Sequence, residues 1–382
     1  MGSAPLEILY VIDWFHRTGG TEKHLVQLVR GLPASEFRCT VVIFDLGSNP
    51  LVEEMRAAGA RVIHLPVGRE YVPNALRQAW RLSRLVRRRR FDVVQTYHQK
   101  ADTFGALIVW LSGQRHLVSS KRDTGELRNR LHRFLNRRLS RLFEAFIMVS
   151  EGVGRVVATR DRLPAARIRT IYNGVDTRWY APPTAHERSE ARDRLGFAAS
   201  DLVVGMVAGF RAEKNHEVFF AGVERALELV PDLRILLVGG GELLEAARRR
   251  IGGSKLAQRT TFAGEVADVR PWLWAMDAGC LTPGANEGFS NAVLEQMAAG
   301  LPMVVTDVGG NAEAVAEGET GFVIPANQPE AVAAALVRLL ADRTQLRRMG
   351  SAARQRVEQR FSLAAMCAAH ARLYRELVTP AE

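Results

Sequence analysis

Two carboxylates eight residues apart, Glu287 and Glu295, lie in the stretch Pro283-Gly-Ala-Asn-Glu-Gly-Phe-Ser-Asn-Ala-Val-Leu-Glu-Gln-Met-Ala-Ala-Gly-Leu-Pro302. On one continuous helix they would stand roughly 12 Å apart along the axis and on different faces. Gly288, directly after the first, favours instead a turn and a close backbone approach. Glu287 is therefore expected in a loop. Glu295 is expected in the second turn of a helix that starts near Ser290 or Asn291 and carries Ala292, Val293 and Met297 as apolar residues. Gly300 should stop that helix, and the apolar strand Met303–Val305 should follow. A strand–loop–helix–strand unit of this kind leaves free backbone N–H groups at the helix start, where a phosphate binds. The same spacing also suits an ordinary Rossmann-type helix with two solvated glutamates.

The surroundings of the two glutamates resemble the E-x7-E region of glycosyltransferase family 4, the group 1 retaining enzymes of the GT-B fold. The match takes in Gly288-Phe289, Asn291, Leu294-Glu295, Met297–Pro302, then Thr306-Asp-Val-Gly-Gly310 and Glu313. The resemblance implies that Glu287 meets hydroxyls of the donor sugar and the positive charge forming at its anomeric carbon. Glu295 would accept hydrogen bonds from ribose hydroxyls, which an ionised carboxylate does well. Backbone N–H groups around Phe289, Ser290 and Asn291 would bind sugar and phosphate. The family is assigned a same-face displacement with retention, in which the departing phosphate assists the incoming acceptor.

Five further constellations fit the same pattern. Gly19-Gly20-Thr21-Glu22 follows the first strand and resembles the family's G-G-x-E turn, where paired glycines let backbone N–H groups reach a phosphate or sugar. A tight turn capped by Thr18 or Thr21 would look similar. Gly209-Phe210-Arg211-Ala212-Glu213-Lys214 follows the first strand of the second half. No D-x-D metal motif occurs anywhere in the chain, so fixed cations must stabilise the departing diphosphate, and the resemblance gives that task to Arg211 and Lys214. Many members place the arginine directly after the glycine, where this chain has Phe210. Val238-Gly239-Gly240-Gly241 lacks the dinucleotide spacing, and the loop Phe262–Val266 corresponds to the family's base-contacting loop, with Val266 carried over. Where the family commonly shows H-x-H, this chain has Gln95 and Tyr97, with His98 one residue later as the candidate for contact with the donor sugar. Ser119-Ser-Lys-Arg122-Asp123-Thr-Gly125 resembles the S-x-R-D-x-G turn of a subgroup making cell-surface polysaccharide. Arg122 and Asp123 are thereby candidates for the acceptor side.

These sites need a scaffold, and the hydrophobic pattern supplies an α/β one. Glu7–Ile12, Cys39–Phe44, Arg61–Leu65 and Asp92–Thr96 read as strands, alternating with helical stretches at Glu22–Leu32, Leu51–Ala58 and Ala75–Arg90. After a polar, proline-rich stretch the rhythm restarts with Leu202–Ala208, Glu217–Leu229, Arg234–Val238, Leu243–Arg250, Thr260–Phe262 and Ala278–Leu281. Two Rossmann-like doubly wound domains with a cleft between them are expected, as in GT-B. The boundaries are residues 1–180 for an acceptor-side domain, 181–200 for a linker, 201–360 for the donor domain, and 361–382 for a helix. The resemblance implies that this last helix crosses back onto the first domain.

The 382 residues, 47% hydrophobic and 24% charged, suit two soluble globular cores. Three scattered cysteines, Cys39, Cys280 and Cys367, point to no disulfide framework, and no apolar run is long enough to span a bilayer. A cytoplasmic protein is expected, peripheral on the inner face of the plasma membrane. The net charge of +11 is uneven: residues 1–181 hold 30 basic and 16 acidic residues, residues 182–382 hold 22 and 25, and the window 69–141 holds 18 and 5. Within that window Arg77, Arg81, Arg84 and Arg88 recur at helical spacing and are expected opposite Leu76, Trp80 and Leu85. Arg130, Arg133, Arg137 and Arg141 are expected opposite Leu127, Leu131, Phe134 and Leu142. Each would be an amphipathic helix whose cationic face docks on anionic lipid. No motif for binding nucleic acid accompanies the charge.

The sequence thus implies a retaining glycosyltransferase that moves a sugar from a UDP- or GDP-sugar to a glycan or lipid-linked acceptor, with no cofactor and no metal. Its rivals are a nucleotide-sugar 2-epimerase, which shares the architecture, and a basic nucleic-acid-binding protein. Because no D-x-D motif is present, transfer activity should survive EDTA. Full inhibition reversed by Mg²⁺ or Mn²⁺ would contradict the assignment of the diphosphate to Arg211 and Lys214.

Overall fold

The computed structural model describes residues 4–16, 19–68, 73–125 and 130–379. Its chain divides into two compact units, Met1–Gly174 with Leu363–Glu382, and Val175–Ser362. The first unit is built on seven parallel strands: β1 (Leu6–Phe15), β2 (Phe37–Leu46), β3 (Arg61–His64), β4 (Val93–Tyr97), β5 (Leu117–Lys121), β6 (Ala145–Met148) and β7 (Ile168–Thr170). They lie in the order β3-β2-β1-β4-β5-β6-β7. The second is built on six: β8 (Leu202–Val207), β9 (Leu233–Val238), β10 (Thr260–Gly264), β11 (Ala278–Leu281), β12 (Met303–Thr306) and β13 (Gly321–Ile324). Their order is β10-β9-β8-β11-β12-β13, again all parallel. In each sheet the strand order reverses once, between β1 and β4 and between β8 and β11. Ligands of open α/β sheets bind beyond the carboxyl ends of strands at such a switch point.

Strands β5, β6 and β13 lie in stretches where the hydrophobic pattern singles out no element. The reason is plain in β5, Leu-Val-Ser-Ser-Lys, whose five residues are all buried although three are polar. Asp102 satisfies two of those three and a β4 residue besides: it accepts from Thr96 Oγ1 at 2.6 Å, Ser119 Oγ at 2.8 Å and Lys121 Nζ at 2.6 Å. Burying such a pair is costly unless its hydrogen bonds are met, and here Asp102 meets several at once.

Residues 181–200, expected as a linker, are instead packed into the second unit. Thr184 and Glu187 form a capping box that starts the helix Ala185–Leu195. From this helix Arg188 and Arg192 converge on Asp277, at 2.6 and 2.7 Å, and the same carboxylate accepts Val203 N at 2.8 Å. The charge that made the stretch look solvated is spent on docking it.

The arginine helices also differ from expectation. Helix Pro73–Arg89 buries Ala75, Gln78, Leu82 and Val86, while Leu76 and Trp80 point outward, 76% and 59% exposed, beside the arginines. The inward stripe is set by i, i+3, i+7, i+11 spacing from Ala75, one position before the stripe assumed from the bulkier residues. In helix Arg130–Leu139, Phe134 is likewise 54% exposed. Leu127 and the side chains of Arg130, Leu131 and Arg133 lie outside the described residues.

The final helix, Leu363–Val378, belongs to the first unit and packs on helix Gly20–Gly31. Gly31 admits Cys367, since a Cβ there would lie 2.4 Å from Sγ. Tyr374 donates its hydroxyl to Gln95 Oε1 at 2.6 Å, beneath the sheet. His370 and His24 face each other with ring centroids 5.5 Å apart. Burial holds both imidazoles neutral: His24 sits well below its ordinary range and His370 is pushed down to about 4. A histidine whose folded pKa is depressed contributes stability that is complete above its unfolded pKa and lost as pH falls toward the folded value. The melting temperature should therefore fall between about pH 6.5 and pH 4, with His370 accounting for up to roughly 3 kcal/mol. His370→Met should flatten part of that slope. An unchanged slope in melts of the variant would place the acid sensitivity elsewhere.

Candidate active site

The switch point of the second sheet brings Lys214 and Glu287 together. Lys214 ends a short 3-10 turn, Ala212–Lys214, directly beyond β8, and Glu287 lies in the loop beyond β11. Lys214 Nζ meets Glu287 Oε2 at 2.5 Å, with the side chains 21% and 12% exposed. The backbone around them is held on all sides. Gly284 N donates to Glu213 O at 3.1 Å, and Thr282 Oγ1 to Asn215 O at 3.3 Å. Asn215 turns through the left-handed region at φ +53° and is fixed by Asn327 at 2.8 Å. From beyond β12, Gly310 N donates to Gly288 O at 2.7 Å. Gly309 passes so close that a Cβ would lie 1.9 Å from the Glu287 carbonyl oxygen, which only glycine tolerates.

Phe210, which stands where many relatives have arginine, is buried and stacked on His216 with centroids 4.1 Å apart. Burial and then the Lys214 charge push His216 down to about 4, so it is a neutral packing partner. Arg211 is exposed, and its guanidinium folds back over Gly209: a Cβ at that glycine would lie 3.6 Å from Arg211 Nε. The shifted arginine thus returns to the space beside the glycine. Gly239 and Gly241 serve close backbone packing, because a Cβ on either would strike the backbone of Ala208 or Phe210. Phe210 N donates to Gly240 O at 2.8 Å, which ties the two loops.

Helix Asn291–Ala298 begins after Ser290, which places Glu295 in its second turn. Phe289 is buried against Phe361 at 5.2 Å, so the side chain anchors the turn and the neighbouring backbone starts the helix. Glu295 hydrogen-bonds with the Tyr180 hydroxyl. Burial first, and the Glu295 charge second, raise that phenol far above its ordinary pKa. Val266 is half-buried, packs against the core together with Leu195 and Trp272, and lines with them an open pocket of about 270 Å³.

The switch point of the first sheet gathers a second set. Trp14 near the end of β1 and His98 just beyond β4 stack with centroids 4.3 Å apart and planes at 20°. His98 adopts φ +68°. The turn that carries it is held by Asp13, whose carboxylate accepts Lys100 N at 2.7 Å and Ala101 N at 2.6 Å. Burial raises the Asp13 carboxyl to about 7 against the opposing pull of those two N–H groups. Gly19 precedes helix Gly20–Gly31, and the Glu22 carboxylate curls back over it, 2.5 Å from where a Cβ would be. Arg122 points inward to Asn173, its pKa pushed down to about 10 by burial, whereas Asp123 is exposed.

Lys214, Arg211, Glu287, Phe289, Ser290 and Asn291 therefore surround one switch point, and Gly19, Gly20 and His98 lie at the carboxyl ends of the strands flanking the other. Arg122 turns inward to Asn173 and Asp123 faces outward. Sequence reasoning assigned no role to Asp13, Trp14, Tyr180 or Gly309. Asp13 and Trp14 could have been found from their place at the end of the first strand. Tyr180 sits in the stretch mistaken for the edge of a linker.

Two family models match the chain: Glycosyltransferase Family 4 over residues 18–179, and Glycosyl transferases group 1 over residues 201–342. The lipopolysaccharide core biosynthesis mannosyltransferase LpsB of Rhizobium meliloti is 30% identical over 268 residues, 68% of this chain and 71% of that protein. The GDP-mannose-dependent alpha-(1-6)-phosphatidylinositol monomannoside mannosyltransferase of Mycobacterium tuberculosis is 27% identical over 91% of this chain and 92% of its own. Among solved structures, HepE of Anabaena in complex with UDP and glucose superposes with a TM-score of 0.83 at 20% identity, covering 97% of this chain and 99% of that one. A glycosyltransferase from Rickettsia africae gives 0.86 at 18% identity, covering 99% and 100%. The two parallel sheets share the GT-B fold with these structures, and the chain belongs to the group 1 glycosyltransferases of family 4.

Proposed function

We propose that this glycosyltransferase transfers a sugar from a UDP- or GDP-sugar, with retention, to a glycan or lipid-linked acceptor of the cell surface. The observation that carries the reading is the Lys214–Glu287 pair at the switch point of the second sheet. An ammonium has three N–H donors, so Lys214 can hold Glu287 and still meet a diphosphate oxygen. As the bond from anomeric carbon to phosphate oxygen breaks, negative charge grows on the phosphate and positive charge on the sugar. Lys214, with Arg211, faces the first, and the Glu287 carboxylate faces the second. The acceptor hydroxyl attacks on the face the phosphate leaves, and its proton passes to the departing phosphate oxygen. The Lys214–Glu287 pair is thus preorganised for charges that develop only in the transition state. Glu295, steadied by Tyr180, is assigned the ribose hydroxyls. Relatives named for lipopolysaccharide core and phosphatidylinositol mannoside synthesis support an acceptor of the cell envelope.

Lys214→Ala and Glu287→Ala should each lower kcat by about 10²- to 10³-fold with the donor saturating and the fold intact. Near-native turnover in either variant would remove that residue from the reaction. Glu295→Ala should instead weaken binding of the free nucleotide, by about tenfold or more, since one hydrogen-bonded carboxylate is lost. Calorimetric titration with UDP and GDP measures this, and unchanged affinity for both would take Glu295 out of the nucleotide site. A thermal-shift panel of UDP-, GDP- and ADP-sugars identifies the donor, because a ligand that binds only the folded state raises the melting temperature.

A further inference from the structure

The outward face of helix Pro73–Arg89 is neither a solvated arginine face nor an ordinary surface. It holds six arginines and no acidic residue. Leu76, Trp80 and Arg84 recur every four residues along one stripe, and the Arg84 guanidinium lies 5.2 Å from the Trp80 ring centroid. Beside it packs helix Ala106–Leu111, joined by Ser112 Oγ donating to Ser83 Oγ at 2.8 Å. That helix presents a second stripe, with Leu107 39% and Leu111 61% exposed. Four large apolar side chains thus stand outward on two adjacent helices of the first unit, among cations.

We infer that this face is a bilayer-docking surface, in which Leu76, Trp80 and Leu111 enter the headgroup–acyl boundary of an anionic membrane while the arginines of helix Pro73–Arg89 hold its phosphates. The proposal deepens the reading of a lipid-linked acceptor, on which its purpose rests. Charge complementarity selects the occupant. A second copy of the chain on the same face would set arginine against arginine. A nucleic acid backbone would reward the cations and leave the leucines and Trp80 without a partner. An interface that is anionic at the headgroups and apolar beneath satisfies both sets, and tryptophan is enriched at that depth. No helix among the described residues is long and apolar enough to cross a membrane.

The two components separate by salt. Attraction of arginines to phosphate is screened within a Debye length of about 3 Å at 1 M salt, whereas apolar insertion is not. The full chain should therefore sediment with phosphatidylglycerol vesicles at low salt and keep part of that binding at 1 M NaCl, and it should bind phosphatidylcholine vesicles only to about that residual extent. Leu76→Ser with Trp80→Ser should reduce partitioning by at least about tenfold at both salt levels. Arg77→Gln with Arg84→Gln and Arg88→Gln should reduce it at low salt. All these positions are exposed, so melting temperatures and the donor-induced thermal shift should be unchanged. A wild type that stays in the supernatant, a serine variant that sediments as well as wild type, or binding abolished by salt alone would overturn the proposal. So would a concentration-dependent dimer that the serine variant abolishes, which would give the face to a second copy. Donor binding is read in the same samples, so loss of the vesicle result leaves the glycosyl-transfer reading standing, and the reverse holds too.

Discussion

A parallel strand pair whose crossovers depart in opposite directions cannot have its carboxyl end covered by its own helices. This chain places such a pair at the centre of each sheet, β1 beside β4 and β8 beside β11. Everything with chemical potential follows from those two uncovered ends. At the second, loops from β8, β11 and β12 interlock through backbone bonds until a lysine and a glutamate from distant parts of the chain meet at 2.5 Å. At the first, the end of β1 and the turn after β4 bring an indole and an imidazole into a stack. The rest of each unit holds these loops still.

The holding is done largely by buried polar groups. Asp102, Asp13 and Asp277 each accept two or more hydrogen bonds, from β4 and β5, from the turn that carries His98, and from helix Ala185–Leu195. Ion pairs of this type add little net stability over well-packed apolar residues. They differ from apolar packing in being intolerant of alternatives: a register slip would strand a charge in the interior. A loop that must keep a side chain in one place benefits more from that intolerance than from extra burial.

The chain passes from the first unit to the second near Gly174 and returns near Ser362, and the two passages are bonded to each other. Val175 N donates to Phe361 O at 2.9 Å, and Val175 forms a parallel bridge with Ser362. Phe361 also packs on Phe289, next to the start of helix Asn291–Ala298. The return passage is thereby part of the scaffold of the loop that carries Glu287 and Phe289. On the far side, Gly174 N meets Met366 Sδ in the first unit, and helix Leu363–Val378 is held by the Tyr374–Gln95 hydrogen bond and by His370 packing on His24.

The local sequence determined the parts whose signal is local. Alternating apolar runs and helical stretches specify two α/β units, and Gly300, in the left-handed region at φ +82°, ends a helix with Glu295 in its second turn because a glycine's backbone freedom acts where it stands. The spacing of Glu287 and Glu295, with its context, identified the family. Elements whose polar residues are paired at long range were illegible. β5 hides Ser119 and Lys121 against Asp102, seventeen and nineteen residues away, and the charged stretch 181–200 docks on Asp277 some eighty-five residues on. Only the tertiary structure decided that Arg122 turns inward and that Leu76 and Trp80 face out rather than in. In each case a side chain's direction is set by which neighbour arrives across the fold, and no local pattern contains that neighbour.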